Sequence, residues 1–347
     1  MASFTSHLCL GNRAVSPPAL VDSRIPVTVL TGYLGAGKTT LIKRILQGGA
    51  GAGFAVIVNE FGDIGIDGDL IKTGKEELIE LSNGCVCCVV RGDLIRTLRT
   101  LLDRPKPLRH ILIETTGLAN PSPIIQTFHI DQIIQARCRL DSVITVVDAI
   151  HMAEQIRTHA DAVDQIAFAD LILLNKSGGL SPNELKAARA TLRELNPIAH
   201  IQNTNRCEID PQPLLSRHGF DLALVEERLG QFVEPSHNHA HAHIEKDQIS
   251  SLSFTCETPM HADHLSDWLE ALLAVHGPDI LRTKGIISVI NDDRKLVIQA
   301  VNMMLEGDFL GSWGPDAPRQ SRLVFIGRNL NKADLETGFL NCRAAAR

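Results

Sequence analysis

Aromatic residues are scarce in this chain. Phenylalanine, tryptophan and tyrosine make up 4% of its 347 residues, and Tyr33 is the only tyrosine. Few platforms therefore exist for stacking single-stranded bases or exposed sugars. A basic surplus is also missing, since 34 Lys and Arg stand against 40 Asp and Glu for a formal charge of −6. Without a broad positive field to grip a phosphate backbone, nucleic acid is not an expected partner. No apolar run approaches the eighteen or so residues of a spanning helix, so no membrane partner is expected either. Residues 1–23 lack a basic segment followed by a continuous apolar stretch, and they read as a flexible N-terminal arm rather than a secretory signal. A chain of this length has no need of disulfides to hold a core, and adjacent cysteines do not readily pair with each other. The thiols are expected to be reduced and the setting cytoplasmic.

Hydrophobic residues at 44% and charged residues at 21% are ordinary for a globular protein of about two domains. Short, nearly continuous apolar runs at 26–30, 54–58, 110–113, 143–147 and 171–174 are separated by stretches long enough for crossover helices. Buried parallel strands have this texture, whereas half-solvated antiparallel strands alternate. The pattern predicts an α/β domain over 24–205, built on a doubly wound, mostly parallel sheet. Prolines at 211 and 213, a histidine tract and a charged triplet then mark 206–248 as a linker. Beyond it, strands are predicted at 249–255, 285–290, 295–301 and 322–326 and a helix at 261–274, making 249–347 a smaller α+β domain.

The segment Gly32-Tyr33-Leu34-Gly35-Ala36-Gly37-Lys38-Thr39 matches G-x-x-x-x-G-K-[ST] between a predicted strand and a predicted helix. In that context Gly32, Gly35, Ala36, Gly37 and Thr40 curl successive N–H groups around a phosphate at the positive end of the helix dipole. Lys38 reaches the β and γ phosphates, and the Thr39 hydroxyl serves Mg²⁺. A second carboxylate for the metal is supplied by Glu114, at the end of the strand 110–113, with the Gly117 N–H placed to approach the γ phosphate. Asn175-Lys176-Ser177-Gly178 follows another strand and supplies three quarters of the guanine-reading N-K-x-D. Gly178 replaces the aspartate that accepts from guanine N1–H and the 2-amino group.

Two clusters of soft ligands stand out among eight cysteines and fourteen histidines. Cys85, Cys87 and Cys88 crowd into four positions. Thiolates suit Zn²⁺ and related cations, and three ligands leave a tetrahedral ion one short, an open site better fitted to transfer than to permanent structure. Buried thiols acting as small hydrophobes and a redox relay are the alternatives. His237, His239, His241 and His243 alternate within the linker, where metal recruitment is the preferred role and a solvated linker the alternative.

With these motifs the chain resembles the CobW-like P-loop GTPases, a group that includes the hydrogenase and urease nickel-insertion GTPases. The likeness rests on 32–40, Asn59-Glu60-Phe61-Gly62, Gly84-Cys85-Val86-Cys87-Cys88, Glu114-Thr115-Thr116-Gly117, Val146-Val147-Asp148-Ala149 and, near the end, Glu306-Gly307-Asp308 and 322–327. It implies a P-loop GTPase domain and a CobW-like C-terminal domain. It further implies Mg²⁺ with GTP, a cargo ion, Zn²⁺ or Co²⁺, on the three cysteines with Glu60 alongside, and delivery to a client metalloprotein or a cobalt chelatase of the cobalamin pathway. A nucleotide-dependent dimer belongs to the same picture. No arginine finger or catalytic base can be named, so turnover is expected to be slow without metal or a partner. The rival readings are a nucleotide-binding metal sensor or buffer with little hydrolysis, and a P-loop ATPase without guanine preference.

Overall fold

In a computed structural model of the protein, the described residues are 23–47, 53–58, 76–80, 88–215, 249–314 and 317–344, with backbone alone for 76–80, 88–91 and 212–213. They fall into two compact units.

The first unit carries a seven-stranded sheet in the order β3-β2-β4-β1-β5-β6-β7. Its strands are β1 (Ile25–Thr31), β2 (Phe54–Val58), β3 (Glu76–Glu80), β4 (His110–Glu114), β5 (Cys138–Asp148), β6 (Leu171–Asn175) and β7 (His200–Asn203), and every neighbouring pair is parallel. The five predicted apolar runs are β1, β2, β4, β5 and β6. In β6 the cause of their continuous apolar character is visible. Leu171 and Leu173 pack into one core with Leu41, Ile42 and Ile45 of helix α1 (Lys38–Gln47), while Ile172 and Leu174 pack into a second core on the opposite face. A strand covered on both faces has no solvent-facing position, so apolar residues fill most of it.

β3 and β7 were not predicted, and both lie at the sheet's edges. Edge strands need little apolar content. β3 reads Glu-Glu-Leu-Ile-Glu, and in β7 only Ile201 is buried. The predicted linker start at 206 also needs correction. Cys207, Leu214 and Leu215 are buried in the α1 core cluster, so the first unit continues to at least 215. Pro211 precedes and Pro213 lies within the first turn of a short helix, Gln212–Leu215, instead of opening a linker. Among the described residues this unit also carries helices α2 (Cys88–Leu102), α3 (Ser122–Ile130), α4 (Gln132–Arg137), α5 (Met152–Thr158), α6 (Ala160–Phe168) and α7 (Pro182–Leu195).

The second unit is a five-stranded sheet in the order β11-β10-β9-β12-β8. It comprises β8 (Ile249–Cys256), β9 (Ile280–Ser288), β10 (Arg294–Val301), β11 (Met304–Ser312) and β12 (Ser321–Arg328). The pairs β11–β10, β10–β9 and β9–β12 are antiparallel. Two further helices follow the short turn at Gln212–Leu215, which counts as α8: they are α9 (Ala262–His276) and α10 (Lys332–Asn341). Leu265, Leu269 and Leu273 of α9 and Leu335 and Phe339 of α10 bury against Phe254, Ile287, Leu296, Ile298 and Phe325 of the sheet. The predicted strands and helix of the α+β domain are all present. β11 escaped prediction because none of its nine residues is fully buried and its core-facing signal is correspondingly weak. Among the described residues no helix is long and apolar enough to cross a membrane.

Candidate functional site

β1, β4, β5 and β6 all end at the same edge of the parallel sheet, and the candidate site is assembled there from the segments that leave them, as the topology of open α/β sheets requires. From β1 the chain enters the glycine loop, in which Gly32, Gly35 and Gly37 take φ values of 144°, 74° and 116°. Side chains avoid that region, and at Gly37 space forbids one as well. A Cβ there would fall 2.5 Å from Asn175 Nδ2. The loop delivers Lys38 as the first residue of α1, buried, with its Nζ donating to the Gly32 carbonyl at 2.7 Å. The ammonium is thus held over the mouth of the loop by the loop's own backbone, in the position from which it can turn to a phosphate oxygen. Thr39 follows, half-buried, and Thr40 is exposed.

Asn175 is the clamp on this loop. Its Nδ2 donates to Ala36 O at 2.8 Å, and its Oδ1 accepts from Cys207 N at 3.0 Å. The Cys207 thiol itself reaches the Gly37 carbonyl at 3.4 Å. Burial pushes that thiol up to about 11, so it stays protonated and can donate. Arg206 and Cys207 both adopt left-handed backbone, at φ 50° and 53°, a sharp corner that brings residues 204–207 over the glycine loop. Both polar ends of the Asn175 side chain therefore hold protein backbone.

Lys176 also has a left-handed backbone, φ 61°, and points its Nζ to Asp148 Oδ2 at 2.7 Å. The buried Asp148 carboxylate further accepts from Ile150 N, His151 N and His151 Nδ1, at 2.9, 3.3 and 2.9 Å. Burial alone would raise its pKa, but the hydrogen bonds from Lys176, His151 and Ile150 outweigh that and hold it below the ordinary carboxylate value.

Glu114 closes β4 in register with Leu30 of β1 and is buried beside the start of the glycine loop. The segment after it is latched at two points. Gln165 of α6 donates from Nε2 to the carbonyls of Gly117 and Ala119, both at 3.1 Å, and Asn120 Nδ2 donates to Asp164 Oδ2 at 2.6 Å. Gly117 touches the glycine loop directly, since a Cβ there would meet Leu34 Cδ2 at 2.5 Å and Leu34 N at 2.9 Å. Tyr33 stacks on His159, ring centroids 4.7 Å apart.

Residues 32–40, Glu114, Gly117, Asn175 and Lys176 are thus gathered at one edge. Thr39 and Glu114 offer a hydroxyl and a carboxylate, hard oxygen donors that fit Mg²⁺. Glu60, Cys85, Cys87 and the four histidines of the tract lie outside the described residues. Cys88 opens α2, and its side chain is outside them too. Among the described residues no group of three His, Cys, Asp or Glu can hold a metal. Sequence reading did not single out Gln165, Asn205 or Cys207. Their one local signal was a turn-prone Asn after a strand, which is too weak to place a corner.

Two family models match the chain. One, described as CobW/HypB/UreG, nucleotide-binding domain, covers residues 26–203, and the other, Cobalamin synthesis protein cobW C-terminal domain, covers 249–343. The zinc chaperone YjiA of Escherichia coli (strain K12) is 34% identical over 323 residues, spanning 92% of this chain and 99% of that one. The zinc chaperone CobW of a Sinorhizobium species is 35% identical over 339 residues, 88% of this chain and 93% of the relative. The crystal structure of Zn(II)-bound YjiA GTPase from E. coli superposes with a TM-score of 0.74 at 29% identity, covering 92% of this chain and 99% of that one. A phosphate loop clamped at the carboxyl edge of a parallel sheet, followed by the matching second domain, makes this chain a member of the CobW/HypB/UreG family of nucleotide-binding proteins.

Proposed function

We propose that this chain is a GTP-driven metallochaperone, which binds a transition metal, Zn²⁺ before Co²⁺, and transfers it to a client metalloprotein in the cytoplasm. It is a GTPase of its family. The observation that carries the reading is the pre-formed phosphate loop, with Lys38 buried over its mouth and Asn175 pinning its backbone. It is supported by relatives called zinc chaperones and by the likeness to a Zn(II)-bound GTPase.

In this mechanism the N–H groups of 32–40 and the Lys38 ammonium hold the triphosphate, and Thr39 with Glu114 would hold Mg²⁺. When bound, that ion neutralises charge on the β and γ phosphate oxygens. Contacts of Gly117 with Leu34 of the loop and with Gln165 support a role for the segment leaving β4 in responding to the γ phosphate. Cys85, Cys87 and Cys88 with Glu60 take the cargo ion, and the four histidines of the tract collect it. Cys88 begins α2 only six residues before Leu94, which is fully buried, so a change at the thiols is applied to a helix anchored in the core.

Metal affinity measured by competition with a chromophoric chelator should be at least tenfold higher with a non-hydrolysable GTP analogue than with GDP. A ligand that does not discriminate between two states cannot shift them, so equal affinities would refute the chaperone cycle. Phosphate release that fails to rise above background with zinc and with client would leave the sensor or buffer reading in its place.

A further inference from the structure

Gly178 stands where a guanine-reading motif has its aspartate, and the space that such a side chain would enter is taken by Asn205. A Cβ built on Gly178 would lie 3.3 Å from Asn205 Nδ2, 3.4 Å from its Cγ and 3.7 Å from its Oδ1. Asn205 is exposed, and its amide makes no hydrogen bond to another described residue. The backbone on either side of it is fixed. Ser177 donates to the Thr204 carbonyl from both N and Oγ, at 3.2 and 2.9 Å, which ties the turn containing Gly178 to the residue before Asn205. On the far side Cys207 N is held by Asn175 Oδ1. A polar side chain is thus presented from a second loop, beside the motif position that lacks one.

We propose that Asn205 is the base-specificity residue of this chain, its carboxamide meeting the edge of the nucleotide base in place of a carboxylate on residue 178. The inference rests on the phosphate-loop reading above. A carboxylate accepts from guanine N1–H and from the 2-amino group together. A carboxamide has one acceptor and one donor face. It accepts from N1–H and donates to O6, which leaves the 2-amino group unread, so hypoxanthine satisfies it as well as guanine does. Turned over, it donates to adenine N1 and accepts from the 6-amino group, so adenine is rejected only weakly.

The test is competition against a fluorescent GTP derivative by GTP, ITP and ATP, each with Mg²⁺, on the full chain and its variants. In the native chain GTP and ITP should bind within about threefold of each other and ATP within about tenfold. Asn205→Ala should weaken GTP and ITP alike by about tenfold, with the thermal midpoint unchanged because the residue is exposed. Adding Gly178→Asp to that variant should restore binding and favour GTP over ITP by about tenfold or more. Lys38→Ala separates the two levels of the argument. If it binds all three nucleotides as the native chain does, the phosphate-loop reading fails and this inference with it. If Lys38→Ala loses binding while Asn205→Ala keeps native affinities and rank order, the inference alone is overturned. A native chain that prefers GTP to ITP by more than tenfold also overturns it.

Discussion

Replacing Asn175 tests whether the glycine loop is held in shape by a single carboxamide. In Asn175→Ala the Ala36 carbonyl and the Cys207 N–H lose partners at 2.8 and 3.0 Å in a buried setting. Each orphaned group costs about 1–3 kcal/mol. A water entering the vacated polar space to bond both groups would lower the sum to about 3 kcal/mol. For a unit of this size that corresponds to a fall of about 6–12 °C in the thermal midpoint. The measurement is calorimetry without nucleotide, so that a role in base binding does not enter.

Asn175→Asp sharpens the test, because it keeps the acceptor for Cys207 N but sets a second acceptor against Ala36 O. Two oxygens about 2.8 Å apart with no proton between them repel, and the new carboxyl has a raised pKa. This variant should be at least as unstable as Asn175→Ala at pH 8. It should recover part of the loss near pH 5, where a protonated carboxyl can donate to the carbonyl. A midpoint for Asn175→Ala within 2 °C of native, or an Asn175→Asp variant as stable as the native chain at pH 8, would refute the clamp; these bounds follow from the same scale of about 2–4 °C per kcal/mol.

His110 is buried at the start of β4, bonded through Nε2 to Thr28 Oγ1 at 2.9 Å and stacked on Phe54, and burial, aided by the Arg139 charge, pushes its pKa down to about 4. The unfolded chain takes up this proton near pH 6.5, so the group's contribution is full above that pH and is lost as pH falls towards 4, by about 3 kcal/mol. Urea unfolding of His110→Gln should therefore show a shallower loss between pH 7 and 4 than the native chain, and parallel curves would sink the assignment. Gly117→Ala drives a methyl into Leu34 N, a backbone atom that cannot rotate away, and should cost about 1–3 kcal/mol of stability and at least tenfold in nucleotide affinity. Unchanged affinity for the fluorescent GTP derivative would show that this contact does not shape the loop.

What could be read from sequence divides by how local its cause is. The glycine loop was legible because each of its requirements, positive φ at Gly32, Gly35 and Gly37 and a lysine at the head of α1, is met within nine consecutive residues. Strands β2, β4 and β6 were legible because burial on both faces makes the run itself apolar. β3, β7 and β11 were not, since an edge position asks too little of the side chains to leave a pattern.

The hydrogen bonds that hold the loop are opaque in sequence for a different reason. Asn175 to Ala36 spans 139 positions and Cys207 to Gly37 spans 170, and nothing in a window of either segment encodes the other. Gly178 shows what this implies for motifs. Read along the chain, N-K-S-G is a guanine motif with its discriminating residue deleted. In space the place is a corner between two loops, and the second loop, 204–207, straddles the end of the predicted domain and the first two residues that composition assigned to a linker. A motif position is satisfied by whichever side chain arrives there, and Asn205 arrives because Ser177 binds the Thr204 carbonyl and Asn175 binds Cys207 N. The glycine at 178 and the place of Asn205 are therefore one structural fact: a side chain at 178 would crowd the Asn205 carboxamide, and glycine leaves it room to stand there.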